Sequence, residues 1–127
     1  MRAKINRIKA IDRKSAEKSG RRAEFVAALW LNLKCYRILG QRLRTPAGEL
    51  DIVALSPSGV LVFVEVKARK CETEALEAIS NHQRQRIIRA AKLYLSTHTA
   101  LRLKHVRFDA ILIVPFRAPR HVKDAWR

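Results

Sequence analysis

Three carboxylates and one lysine stand inside the most apolar, strand-like part of this chain. Glu49 and Asp51 lie in one β-branched run, and Glu65 and Lys67 lie in the next. Neighbouring carboxylates repel each other unless a cation lies between them. Mg²⁺ takes one or two carboxylates together with waters and phosphate oxygens. These residue types therefore predict a divalent-metal site acting on phosphate esters; the alternative is an ordinary ion pair, worth about 0–1 kcal/mol.

A β-hairpin is predicted to carry this set. The apolar runs 49–55 and 60–69 flank the Ser-Pro-Ser-Gly sequence at 56–59, which is typical of a turn. We expect the two strands to pair antiparallel. Because side chains alternate between the faces of a strand, Glu65 and Lys67 project side by side, and the pairing brings Asp51 near Glu65.

The rest of the chain predicts one mixed sheet with helices on its faces. Apolar residues at helical spacing predict helices over 15–34 and 74–97. Further strands are expected over 36–43 and 106–114. The order helix, three strands, helix, strand is that of an α/β fold with a single mixed β-sheet flanked by helices.

Length and charge limit the class of protein. With 127 residues the chain is long enough for one domain. We divide it into a basic N-terminal arm (1–14), a folded domain (15–115) and a basic C-terminal tail (116–127). Because Lys and Arg number 27 against 11 Asp and Glu, the net charge is +16. A polyanion is the expected partner, with nucleic acid ahead of an anionic membrane surface.

Other residue types indicate no further site. Cys35 and Cys71 are far apart in sequence, and the 4 histidines have no ligand spacing, so a zinc site is not indicated. No apolar run approaches the roughly 18 residues of a membrane span, and a reducing cytoplasm is expected. We expect Asp109 to pair with an arginine and Trp126 to anchor the tail.

The motif resembles that of a known nuclease superfamily. Asp51 followed, across the hairpin, by Glu65-Val66-Lys67 resembles the D…(D/E)xK signature of the PD-(D/E)xK nucleases. Sequence blocks across roughly residues 16–115 look like those of the uncharacterised bacterial YraN family, whose fold is similar to that of archaeal Holliday-junction resolvases. The resemblance implies a restriction-endonuclease-like or resolvase-like core. The blocks are 48–53, 62–69 and 107–109.

The resemblance also implies roles for individual residues. Glu24 matches a family glutamate on the first helix, although Ala23 stands where the family usually has glycine. Asp51, Glu65 and Glu24 would bind Mg²⁺ or Mn²⁺, and Lys67 would orient the attacking water or neutralise charge at phosphorus. Glu49 either supports this set or is simply solvated. Superfamily members often have a helix glutamine near the metal, so Gln83 is expected to contact nucleic acid there, the alternative being a core amide. The basic residues themselves indicate the other expected nucleic-acid contacts, which are Arg69, Arg84, Arg86 and Arg89.

Three functional interpretations follow. The first is a nucleic-acid-binding, Mg²⁺-dependent endodeoxyribonuclease that cuts structured or branched DNA; a symmetric junction would require a homodimer. The second is the same fold without turnover, as a nucleic-acid-binding or complex-assembly module. The third is a basic ribosome-associated or membrane-surface protein whose carboxylates form ordinary ion pairs. Metal binding separates the first from the third, and turnover separates the first from the second.

Overall fold

The structure, a computed structural model, describes residues 2–127, with the side chains of all but 8, 9 and 11–17. Eight helices and strands of more than three residues make up this part of the chain. Their bounds are α1 (Arg2–Leu33), β1 (Arg37–Thr45), β2 (Gly48–Leu55), β3 (Leu61–Ala68), α2 (Glu72–Glu77), α3 (Asn81–Thr97), β4 (Val106–Ile113) and β5 (Arg120–Trp126).

The strands form one mixed sheet in the order β1-β2-β3-β4-β5. Neighbours pair antiparallel except β3 and β4, which are parallel. A parallel pair needs a crossover connection, and α2 and α3 provide it. The predicted fold class, a mixed α/β sheet flanked by helices, is confirmed, as is the antiparallel β2–β3 hairpin.

Two apolar clusters cover the two faces of the sheet. On one face α1 packs Ala23, Ala27 and Leu31 against β2, β3 and β4. On the other face α3 packs Ile87 and Tyr94 against the same strands. The alanines let α1 lie close to the sheet because they add little side-chain bulk, and this places Glu24, next to Ala23, beside the start of β2.

The helix predicted over 74–97 is in fact two helices. α2 ends at Glu77, and α3 begins at Asn81. Ser80 caps α3, since its hydroxyl accepts a hydrogen bond from the backbone N–H of Gln83 at 3.1 Å. A serine cap satisfies an amide that the first helical turn leaves unpaired. The break therefore starts a new helix whose first turn places Gln83 within hydrogen-bond distance of Glu65 on β3.

The terminal segments also differ from the prediction. Residues predicted as a C-terminal tail contain β5, which pairs antiparallel with β4. The apolar side chain that fixes this strand is Trp126, which is buried and stacks on Phe108. At the other end, α1 begins at Arg2 instead of near residue 15. None of the helices within residues 2–127 is long and apolar enough to cross a membrane.

Candidate metal centre

The candidate site forms where β2 and β3 separate. Their pairing ends at Ile52 and Val64. Beyond that point the Asp51 Oδ2 atom accepts a hydrogen bond from the backbone N–H of Val66 at 2.9 Å. The carboxylate thus satisfies an amide that the partner strand no longer reaches, and it is held against β3 in a fixed position.

Glu65 lies in the same opening and is only 4% exposed. The Gln83 Nε2 atom of α3 donates a hydrogen bond to Glu65 Oε1 at 3.1 Å. The ammonium of Lys67 lies 3.5 Å from the same oxygen. Glu65 and Lys67 therefore project side by side, as the strand periodicity predicts, and α3 supplies the amide that orients the carboxylate.

Asp51 also lies close to two further carboxylates, one on α1 and one on β2. Glu24, Glu49 and Asp51 each offer an oxygen, and these atoms lie within 4.8 Å of one another. Glu24 also accepts a hydrogen bond from Arg42 Nε at 2.6 Å. The sequence predicts Glu49 either as a supporting residue of the metal site or as a solvated side chain. The structure places it in the carboxylate cluster.

Burial and mutual repulsion dominate the electrostatics of the site. Burial raises the pKa of Asp51, and the nearby charge of Glu24 raises it further, against the hydrogen bond from Val66. Burial likewise raises the pKa of Glu65, followed by the charge of Asp51, against the ammonium of Lys67. One lysine does not offset the repulsion, so both carboxyl groups bind protons more tightly than usual.

These side chains line one cleft of about 420 Å³. Arg86 lies on its wall and donates from Nη1 to the backbone carbonyl of Glu49 at 3.2 Å. Gly48 allows this approach, because a Cβ there would lie 2.2 Å from Arg86 Nη1 and the backbone φ is +132°. The residues expected from the sequence that line this cleft are Glu24, Asp51, Glu65, Lys67, Arg69, Gln83 and Arg86.

Two of the expected nucleic-acid contacts lie elsewhere. Arg84 donates from Nε to the carbonyl of Ile79 at 3.1 Å, and its guanidinium lies 5.9 Å from the centre of the Trp126 ring. Arg89 is exposed on α3. Neither residue lines the cleft. Arg84 therefore packs α3 against β5.

Sequence reasoning missed Arg42, the partner of Glu24. Its neighbours Gln41 and Leu43 pair with Ile52 and Leu50, so Arg42 lies opposite Asp51 in the β1–β2 ladder. Its backbone is left-handed, with φ +52°. The register of a predicted β1–β2 hairpin is the signal that could have placed a cation beside the carboxylates.

Asp109 belongs to a separate, structural network. It is fully buried and accepts two hydrogen bonds of 2.8 Å from Arg107, which confirms the predicted pairing with an arginine. His121 Nε2 lies 2.7 Å from it, and the backbone N–H of Asp124 donates at 3.0 Å. His121 and Asp124 come from β5, so this network ties β5 to β4.

The residues in the cleft fit a hard divalent cation. The donor atoms are carboxylate oxygens, which Mg²⁺ and Mn²⁺ prefer. Glu24, Glu49 and Asp51 already hold three such oxygens close together. Burial, and after it the charge of Asp51, raises the pKa of Glu65 although Lys67 lowers it, so ionised Glu65 is stabilised too little by the residues around it. A bound cation would stabilise that ionised form.

The fold and the candidate site together show how the D…(D/E)xK motif is arranged in three dimensions. A mixed α/β sheet carries Asp51 on β2 and Glu65-Val66-Lys67 on β3, the arrangement of the D…(D/E)xK signature. The chain belongs to the family described as Uncharacterised protein family UPF0102, whose model matches residues 23–113. The resemblance to the YraN-like bacterial family is thereby confirmed.

Bacterial relatives support the family assignment over most of the chain. The UPF0102 protein of Maricaulis maris (strain MCS10) is 47% identical over 114 residues, covering 90% of this chain and 89% of the relative. That of Caulobacter vibrioides (strain NA1000 / CB15N) is 52% identical over 113 residues, covering 88% and 89%. Among solved structures, a chain of the EndoMS–dsDNA2 complex matches at 16% identity and a TM-score of 0.40, over 76% of this chain and 38% of that one.

Proposed function

We propose that this protein is a Mg²⁺- or Mn²⁺-dependent endonuclease that hydrolyses phosphodiester bonds in structured or branched DNA. The observation that carries the proposal is the placement of Glu24, Asp51, Glu65 and Lys67 in one cleft. These residues come from α1, β2 and β3. An isolated ion pair between Glu65 and Lys67 would not require the further carboxylates Glu24 and Asp51 in the same cleft.

The carboxylates are the proposed metal ligands. Glu24, Asp51 and Glu65 would hold the cation, with Glu49 adjoining them. When bound, such a cation supplies an activated water near neutral pH and charge relief at the phosphate oxygens. Asp51 is fixed by the amide of Val66, and Glu65 by the amide of Gln83. The protein thus positions two ligands before any cation arrives, as precise metal sites require.

Lys67 places an ammonium group beside the carboxylates of the cleft. Its ammonium is 3.5 Å from Glu65 Oε1 and only partly exposed. In that position it can orient a water or stabilise the negative charge that grows on the phosphate during attack. Arg69 and Arg86 stand in the walls of the same cleft. One guanidinium group can donate two parallel hydrogen bonds to a phosphate. These two arginines would therefore hold the DNA backbone against the carboxylates.

One contact favours the second candidate, a nucleic-acid-binding module without turnover. Glu24 is 2.6 Å from Arg42 Nε. A carboxylate engaged by an arginine is a weaker metal ligand, because the guanidinium already occupies one of its oxygens. On this alternative the +16 charge binds nucleic acid, and the cleft performs no chemistry.

Cleavage by the full chain and by Lys67→Ala separates the two candidates. Linear, flapped and four-way DNA would be incubated with each protein in EDTA, Mg²⁺ and Mn²⁺. We expect metal-dependent cutting by the wild type and a loss of roughly 10²-fold or more in the variant. DNA affinity should persist, since Lys67 is one of 27 cationic residues. Lys123→Ala, which removes an exposed lysine from β5, is the matched control and should cut normally.

The outcome against the nuclease is equally defined. A wild-type protein that binds these DNAs and cuts none of them with any metal would establish the binding module. Cutting that survives Lys67→Ala would show that the activity does not come from this cleft.

A further inference from the structure

A second concave surface adjoins the metal cleft at the carboxyl ends of β3 and β4. It is a pocket of about 470 Å³ whose walls include Ala68, Ile113, Val114 and Pro115. Ala68 and Arg69 line both this pocket and the metal cleft. The carboxyl ends of parallel strands are where open α/β sheets commonly bind ligands. A group held in this pocket would thus lie next to whatever occupies the cleft.

The rim of the pocket is cationic although its walls are apolar. Arg69 and Lys70 line it, with Glu74 as the carboxylate among its lining residues. Arg117 follows in the exposed turn after β4. Apolar walls beside cations match a flat, uncharged ring attached to a phosphate. A nucleobase in a DNA strand has this chemistry, and Glu74 could accept a hydrogen bond from its amino group.

Phe116 carries an aromatic ring and directly follows Pro115, a residue of the pocket wall. Its side chain is fully exposed. Its backbone is left-handed, with φ +62°, a conformation that is unusual for a bulky residue and costs conformational energy. Exposed aromatic rings stack on bases, and apolar side chains inserted between base steps unstack them. An uncovered ring in a strained turn is thus available to a base that has left the helix.

We propose that the apolar pocket and Phe116 bind an unstacked nucleobase of the strand whose phosphate lies in the metal cleft. The substrate class would then be DNA with an unpaired or easily unstacked base next to the scissile phosphate. This inference rests on the proposed function for the identity of the cleft as a phosphate site. The base-binding step itself requires no cleavage and can be tested without it.

The test compares two duplexes of the same sequence, one continuous and one with a single unpaired 2-aminopurine. Affinity and 2-aminopurine fluorescence would be measured with the full chain in EDTA, so that no DNA is cut. We expect the wild type to prefer the bulged duplex and to quench the fluorescent base by stacking. Phe116→Asn removes the ring but keeps a residue that accepts a left-handed backbone. It should lose roughly fivefold or more in affinity for the bulged duplex and none for the continuous one.

Two control variants make the result specific. Phe116→Trp keeps an aromatic face and should retain both the preference and the quenching. Leu103→Ala removes another fully exposed apolar side chain, located before the start of β4. It should leave both affinities unchanged.

Three other outcomes overturn the proposal. If Phe116→Asn weakens both duplexes equally, or neither, no base is bound by Phe116. If it instead dissociates a dimer in sedimentation while the preference persists, the surface is a contact between copies of the chain. If the wild type binds neither duplex, the proposed function fails as well. If the wild type binds DNA but does not cut it in Mg²⁺, only the proposed nuclease activity is contradicted, and the proposed base site is unaffected.

Discussion

The carboxylate of Asp51 accepts a hydrogen bond from the backbone N–H of Val66 at 2.9 Å, just beyond the last paired residues of β2 and β3. It replaces a backbone acceptor, so the two strands can separate without leaving a buried amide unpaired. The separation leaves space for the cleft. The proposed metal ligand is therefore also a structural element of the sheet.

Asp51→Asn separates these two tasks. Its amide oxygen can still accept from Val66, but the charge that repels Glu24 and Glu65 is gone. We expect the melting temperature without metal to stay the same or rise. Metal should stabilise the wild type by about 2.7 kcal/mol at one hundred times Kd, and the variant much less. Melting curves in EDTA and in millimolar Mg²⁺ or Mn²⁺ measure both effects.

Asp124→Asn is the matched control for that comparison. Asp124 forms an exposed ion pair with Arg127 at 3.0 Å, so its loss should leave the metal response intact. A destabilised Asp51→Asn, together with a wild type that ignores metal, would contradict a metal site.

The stability of the metal-free protein should fall as pH rises. Burial, then neighbouring charge, raises the pKa of Asp51 and of Glu65 above 3.8 and 4.5 respectively. Above those values the folded chain holds protons that the unfolded chain has lost. The contribution of these two carboxyl groups to the free energy of unfolding is therefore complete below about pH 4, and it is lost as the pH rises through their folded pKa values of about 6 and about 8. Each unit by which a pKa is raised corresponds to about 1.4 kcal/mol.

Urea unfolding in EDTA from pH 5 to 9 tests this sign. Asp51→Asn should flatten the decrease, and saturating metal should abolish it because the cation replaces the protons. If the free energy of unfolding in EDTA increased over this range, the pKa values of the two carboxyl groups would not be raised in the folded protein.

DNA affinity should depend steeply on salt through the arginines of the cleft. Replacing Arg69 and Arg86 together by alanine should reduce the slope of log K against log salt by up to about 2 for duplex DNA. Arg84→Ala is the control, because Arg84 bonds to Ile79 and lies over Trp126. It should lower the melting temperature and leave the slope unchanged. A slope that responds to Arg84 instead would place the DNA along α3.

Asp109→Asn should be strongly destabilising. The change weakens two hydrogen bonds from Arg107 and leaves its half-buried guanidinium without a counter-charge. Breaking a buried ion pair in this way costs about 3–5 kcal/mol. Glu72→Gln removes the exposed pair with Arg120, and should cost no more than about 1 kcal/mol. Urea unfolding compares the two, and equal costs would mean that β5 does not depend on Asp109.

Local pattern determined the hairpin and its chemistry. Alternation with a period of two, bounded by Ser56-Pro57-Ser58-Gly59, specifies two strands whichever segments pack on them. It also places Glu65 and Lys67 on one face, and in the structure Lys67 Nζ lies 3.5 Å from Glu65 Oε1. These features are predictable because they depend on residues close in sequence and on the geometry of one strand. The family resemblance then added Glu24, which no local pattern places near Asp51.

Tertiary structure decided everything that requires distant segments to meet. β5 exists because Trp126 packs on Phe108 and because its residues hold Asp109, and neither contact is visible in residues 116–127 alone. Arg42 reaches Glu24 only through the register of β1 on β2 and the close approach of α1 to the sheet. Charge and periodicity are properties of a segment. Long-range packing determines which cation lies beside which carboxylate. The free energy of that packing comes from many buried side chains that are distant in sequence, so no single segment predicts it.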